Sequence, residues 1–111
     1  MTFQELIQKH SLTPICDSYI GDGWVPLVDD LLTKLKATGW EGEVEQVKEK
    51  FGALRVYVSN ASDEHCSLIW EVEEDSLKVC ERCGYKDNVT TAGEFWLKTL
   101  CPTCREQRDK E

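Results

Sequence analysis

Cys80-x2-Cys83 and Cys101-x2-Cys104 place four thiols in two matched pairs near the end of a 111-residue chain. Two residues between ligands let one tight turn aim both sulfurs at a single ion, and Zn2+ accepts four soft ligands in a tetrahedron. The spacing therefore predicts one structural zinc held by Cys80, Cys83, Cys101 and Cys104. Gly84 suits the left-handed backbone that such a turn needs. Between the pairs, Tyr85 to Glu94 is polar and turn-rich, and Phe95-Trp96-Leu97 reads as a strand leading to the second pair, which makes a zinc ribbon. Four thiolates on a divalent ion leave a charge of about −2. Lys78, Arg82, Lys98 and Arg105 are close enough in sequence to offset it. Residues 78–111 bury too little surface to fold alone, whereas structural zinc contributes about 10–16 kcal/mol to such modules.

Other chemistry for these residues fits less well. CPTC by itself resembles a redox dithiol, but that activity needs a low-pKa cysteine in a strand-and-helix setting. A zinc deaminase needs H-x-E and then P-C-x-x-C, whereas Ser67 stands two after His65 and Pro102 follows Cys101. Cys16 and Cys66 are isolated and read as small buried hydrophobes. His10 and His65 fall in no ligand or triad pattern, and Asp17 and Asp22 do not complete a calcium loop. No catalytic residue is assigned. An enzyme with an unrecognised carboxylate site is the least supported of three functional classes.

Positioning the four thiols requires a scaffold, and the hydrophobic periodicity supplies one of α+β class. Phe3, Leu6 and Ile7 mark a short helix over residues 2–10, and Ser11 to Gly23 reads as a loop in which Asp22 accepts N–H bonds at the next helix start. From Trp24 a helix carries Val28, Leu31, Leu32 and Leu35 in one stripe, with Pro26 in its first turn and Gly39 at its end. Glu43 to Lys48 and Ala53 to Ser59 read as a β-hairpin across the turn EKFG, with Leu54, Val56 and Val58 on one face and Arg55 and Tyr57 on the other. Ser62, with Asp63 and Glu64 behind it, starts a helix to about Ser76 that is expected to bury Cys66, Ile69 and Trp70. The organisation expected is a core over residues 1–77 and a ribbon over 78–111, packed together without a flexible linker.

The formal net charge is −8, unevenly spread: residues 1–77 carry 6 basic and 15 acidic side chains, residues 78–111 carry 7 and 6. The first segment would repel a phosphate backbone, so nucleic acid is not expected as a direct ligand; a nucleic-acid-associated ribbon is the runner-up class. No apolar run approaches the length of a membrane span. MTFQELIQKH lacks the apolar core of a secretory signal, and an intracellular, cytoplasmic setting keeps thiols reduced and favours metal over disulfides.

GDGWVPLVDDLLTKL, QVKEKFGALRVYV and CERCG…WLKTLC, in this order, resemble a family of small uncharacterised proteins from bacteria and their phages. The similarity spans most of residues 17–104. In that family the last pair is often C-x-x-H, so Cys104 stands where another zinc ligand is common. The resemblance implies a bacterial or prophage setting and no particular activity. With a closed metal site and no catalytic constellation, the sequence points to a protein-interaction module that regulates or inhibits a partner, basic in character. The expected contact surface is Glu71, Glu73, Glu74 and Asp75, with Arg55 and Tyr57 as neighbours; Trp24, Trp40, Trp70 and Trp96 read as core, and an exposed tryptophan is the observation that would point to an anchor.

Overall fold

A computed structural model describes residues 1–12, 18–93 and 96–110 of the chain. Cys16, Asp17, Glu94 and Phe95, which figure in the sequence reading, lie outside the described residues. The fold is α+β, with four helices and two small antiparallel hairpins among the described residues.

Helix α1 (Phe3–Lys9) is opened by a capping box in which Thr2 and Glu5 satisfy each other's backbone N–H groups. Helix α2 (Val25–Ala37) does not begin at an Asp22 cap. A short 3-10 turn over Asp22–Trp24 precedes it, and the Trp24 N–H is taken by the Gly21 carbonyl. The Asp22 carboxylate makes no cap bond; the Asp22 backbone carbonyl accepts from Val25 N–H instead. At the other end Gly39 takes φ 87°, and the Trp40 N–H turns back to Leu35 O, the glycine stop that the sequence predicts.

Strands β1 (Val44–Lys50) and β2 (Ala53–Val58) pair antiparallel, with Val47 opposite Val56 and Glu49 opposite Leu54. The strands run closer to the turn than EKFG suggests. Only Phe51 and Gly52 lie between them, both left-handed at φ 54° and 82°, as a two-residue type I′ connection requires. Val47, Leu54 and Val56 face the core together with the α2 stripe Val28, Leu31, Leu32 and Leu35 and with Trp24. The register places Lys48, Arg55 and Tyr57 on the opposite face.

Helix α3 (Asp63–Ser76) starts at Ser62, as expected, with Asp63 and Glu64 in its first turn. Its buried face is displaced from the expected one. Ile69 is inside, but Cys66 and Trp70 are exposed. The inner stripe is completed by His65 and Ser76, two polar residues that a search for apolar periodicity passes over. Both are satisfied there: His65 Nδ1 accepts from Ser62 N and Nε2 donates to Thr38 O, while Ser76 Oγ accepts from Leu54 N and donates to Glu73 O.

The ribbon consists of β3 (Thr90–Ala92), β4 (Lys98–Leu100) and a terminal helix α4 (Pro102–Asp109). The second strand begins at Lys98 rather than at the apolar run before it. Thr99 and Leu100 are buried, while Trp96 and Leu97 are exposed. Helix α4 has no counterpart in the sequence reading, because its charged sequence carries no apolar period and Cys104 is its one buried residue. Ribbon and core meet through backbone: Trp24 Nε1 donates to Val79 O at 2.8 Å, Gly23 N donates to Glu81 O at 3.0 Å, and Thr99 Oγ1 donates to Gly52 O.

Candidate metal centre

Each half of the cysteine cluster is shaped by local backbone chemistry. After Cys80 the chain turns back on itself, Gly84 N donating to Cys80 O at 2.9 Å and Cys80 N to Tyr85 O at 2.8 Å, with Gly84 at φ 83°. Cys101 is the N-cap of α4, Pro102 occupies its first turn, and Cys104 follows in that same turn.

The four sulfurs converge, all lying within 4.8 Å of one another. Cys83 Sγ is 3.7 Å from Cys101 Sγ. Four sulfurs about 2.3 Å from a tetrahedral zinc sit about 3.8 Å apart, so the cluster has the dimensions of a four-thiolate site. Cys80, Cys101 and Cys104 are buried and Cys83 is exposed. An open concavity walled by Tyr85, Asn88, Pro102 and Gln107 leads to the cluster, giving an ion a path in.

The electrostatics also fit a cation. Burial pushes the Cys80 thiol up, but backbone N–H groups of Cys101, Cys83 and Arg82 outweigh it and bring Cys80 down to about 7. Tyr85 N–H favours the Cys83 thiolate, yet burial and the adjacent Cys80 and Cys101 sulfurs leave Cys83 above the ordinary thiol value. Cys104 is raised by burial and then by the neighbouring sulfurs. Cys80 is therefore poised to ionise, and Cys83 and Cys104 resist until a positive ion offsets the repulsion between neighbouring sulfurs.

Two of the cations expected around the site, Arg105 and Lys98, make contacts within the ribbon. The Arg105 guanidinium donates to Thr90 O, Ala92 O and Lys98 O, clamping the β3–β4 hairpin onto α4. Lys98 lies 3.7 Å from Glu81, whose other oxygen accepts from Thr99 N at 3.0 Å. Burial raises the Glu81 carboxyl, against the pull of Lys98. Together these contacts fix the first cysteine turn against β4.

Of the expected partner-surface residues, Glu71, Glu74 and Asp75 lie exposed on the outer side of α3. Glu73 is turned inward, accepting from Val56 N at 3.1 Å and lying 3.7 Å from Arg55. Tyr57 is 42% exposed, with Lys48 Nζ 6.0 Å from its ring centre. Trp24 and Trp40 are core residues, whereas Trp70 and Trp96 face outward.

Sequence reasoning also missed a polar tie between the first two helices. The His10 ring, its side chain largely buried, donates from Nε2 to Asp29 at 2.8 Å and accepts at Nδ1 from Lys36 at 2.9 Å. These partners lie 19 and 26 residues away, and no local motif marks them. Among the described residues no helix is long and apolar enough to cross a membrane. No family model, curated protein or solved structure matches the chain.

Proposed function

We propose that this chain is a small intracellular protein-interaction module, stapled by one structural Zn2+ at Cys80, Cys83, Cys101 and Cys104, that regulates or inhibits a basic partner through the outer side of α3. Four protein thiols fill the tetrahedron and leave no coordination position for an activated water, so the metal's contribution is to hold the ribbon together. The observation that carries the binding assignment is Trp70, 62% exposed on a helix that also carries Glu71, Glu74 and Asp75 on its outer side. A large aromatic side chain left in water beside carboxylates has the composition of an interface anchor with a charged rim. Opposite charge speeds encounter with a basic protein, and the aromatic supplies affinity.

Elemental analysis of native protein is expected to find one zinc per chain; none would remove the metal assignment. Affinity purification from host cells is expected to recover a partner with wild type and to lose it when Glu71 and Glu74 are changed to lysine. Recovery undiminished by that variant would remove the acidic side of α3 from the assignment.

A further inference from the structure

Beside Trp70, β2 and α3 diverge and leave an open groove of about 490 Å³. Its floor is apolar, made by Val56, Val58 and Ile69, and Tyr57 and Trp70 line it as exposed aromatics. Glu45 and Glu73 are its charged residues, and Glu74 lies one helical turn beyond Trp70. Arg55 is already engaged with Glu73. We infer that this groove takes an amphipathic basic helix from a partner, apolar side chains inserted between Tyr57 and Trp70 and lysines or arginines facing Glu45 and Glu74. The inference rests on the interaction reading above and names the element recognised.

Two observations select a helix over a strand. An added strand needs free N–H groups along the edge of β2, but Leu54 N is taken by Ser76 Oγ and Val56 N by Glu73 Oε2. Helix α3 has closed that edge with its own side chains, so what remains accessible is a side-chain pocket rather than a backbone ladder. An apolar groove with acidic flanks is filled by anchors at i, i+3, i+4 and i+7 with basic residues between them, the helix-in-groove mode of peptide recognition.

The test uses zinc-loaded full-length protein and three synthetic peptides of about 18 residues, long enough for a helix of several turns. The first has leucines at helical spacing and lysines elsewhere, the second has the same composition with the leucines scattered, and the third has glutamate in place of lysine. The first is expected to bind in the micromolar range and to shift the amides of Ala61, Cys66 and Ile69 and the Trp70 indole in 1H–15N spectra. Its affinity is expected to fall severalfold between about 50 and about 300 mM salt, and Trp70→Ala is expected to cost at least about tenfold. Equal binding of either control peptide, shifts mapping elsewhere, or indifference to Trp70→Ala would overturn the proposal. Groove shifts that appear on concentrating the protein alone would assign the groove to a second copy instead. A cellular partner that needs Glu71 and Glu74 but not Trp70 would overturn the groove and leave the interaction reading intact.

Discussion

Phe51 sits where its side chain is least welcome. Bulky residues disfavour the left-handed region, by about 1–2 kcal/mol, and the first position of a type I′ turn prefers asparagine, aspartate or glycine. Phe51 nevertheless holds φ 54° and is 74% exposed, with Lys50 Nζ 5.8 Å from its ring centre. Phe51→Gly is therefore expected to raise stability by about 0.5–1 kcal/mol, after loss of a small cation–π contribution, seen as a higher urea midpoint at unchanged slope. A lower midpoint would mean that the ring packs usefully in the native state. Asp29 gives a prediction of opposite dependence on conditions. Hydrogen bonds from His10 and then Lys9 hold its carboxyl below the ordinary value of 3.8. A carboxylate depressed in the folded state stabilises above its unfolded pKa and loses that contribution as pH falls through the folded one. Wild type is thus expected to lose more stability than Asp29→Asn below about pH 4, by less than about 1 kcal/mol because the carboxylate is partly solvated. Comparing acid unfolding of the two proteins cancels any acid release of metal common to both.

Between elements, the decisive contacts are made by backbone at glycine. A Cβ on Gly23 would collide with Cys80 O and lie 2.6 Å from Gly84 N, and one on Gly21 would collide with Glu81 O. The IGDGW segment is thus the seat on which the first cysteine turn rests, with Trp24 Nε1 bound to Val79 O just ahead of it. Because the segment leads directly into α2, the cysteine cluster and the main core share a boundary. Gly23→Ala is expected to cost at least about 2 kcal/mol, a backbone collision that no flexible side chain can relieve. It is also expected to weaken zinc in competition with a chromophoric chelator. A variant that unfolds more easily but binds zinc as tightly as wild type would show that the two regions are energetically separate. Cys101→Ser, which removes a ligand while leaving a good N-cap residue at the start of α4, is expected to abolish bound zinc and to expose residues 78–104 to hydrogen exchange.

Across the whole molecule, a ligand that binds only the folded state raises stability by mass action. A chelator in excess is therefore expected to lower the melting temperature in a manner restored by added zinc. The tie from Val79 to Trp24 implies that α2 amides lose protection along with those of the ribbon. Charge is organised on the same scale. The sequence places 15 acids in residues 1–77, and the fold directs Glu71, Glu74 and Asp75 outward while drawing Glu73 and Glu81 into structural bonds. Net charge alone does not distinguish the two groups.

What was legible in the sequence is what short-range periodicity and spacing encode: the α2 stripe and its Gly39 stop, the hairpin, the Ser62 start of α3, and two cysteine pairs whose spacing suits one metal. Each depends on residues within a few positions of one another, so local geometry determines it. Tertiary structure decided which face of α3 is buried, because His65 and Ser76 become acceptable inside only when the Thr38 carbonyl and the Leu54 N–H arrive to satisfy them. It likewise decided that Trp70 faces outward, that Glu73 closes a strand edge, and that two glycines around Asp22 receive the cysteine turn. Those outcomes depend on hydrogen-bond partners and close backbone approaches far away along the chain, which a pattern read locally does not contain.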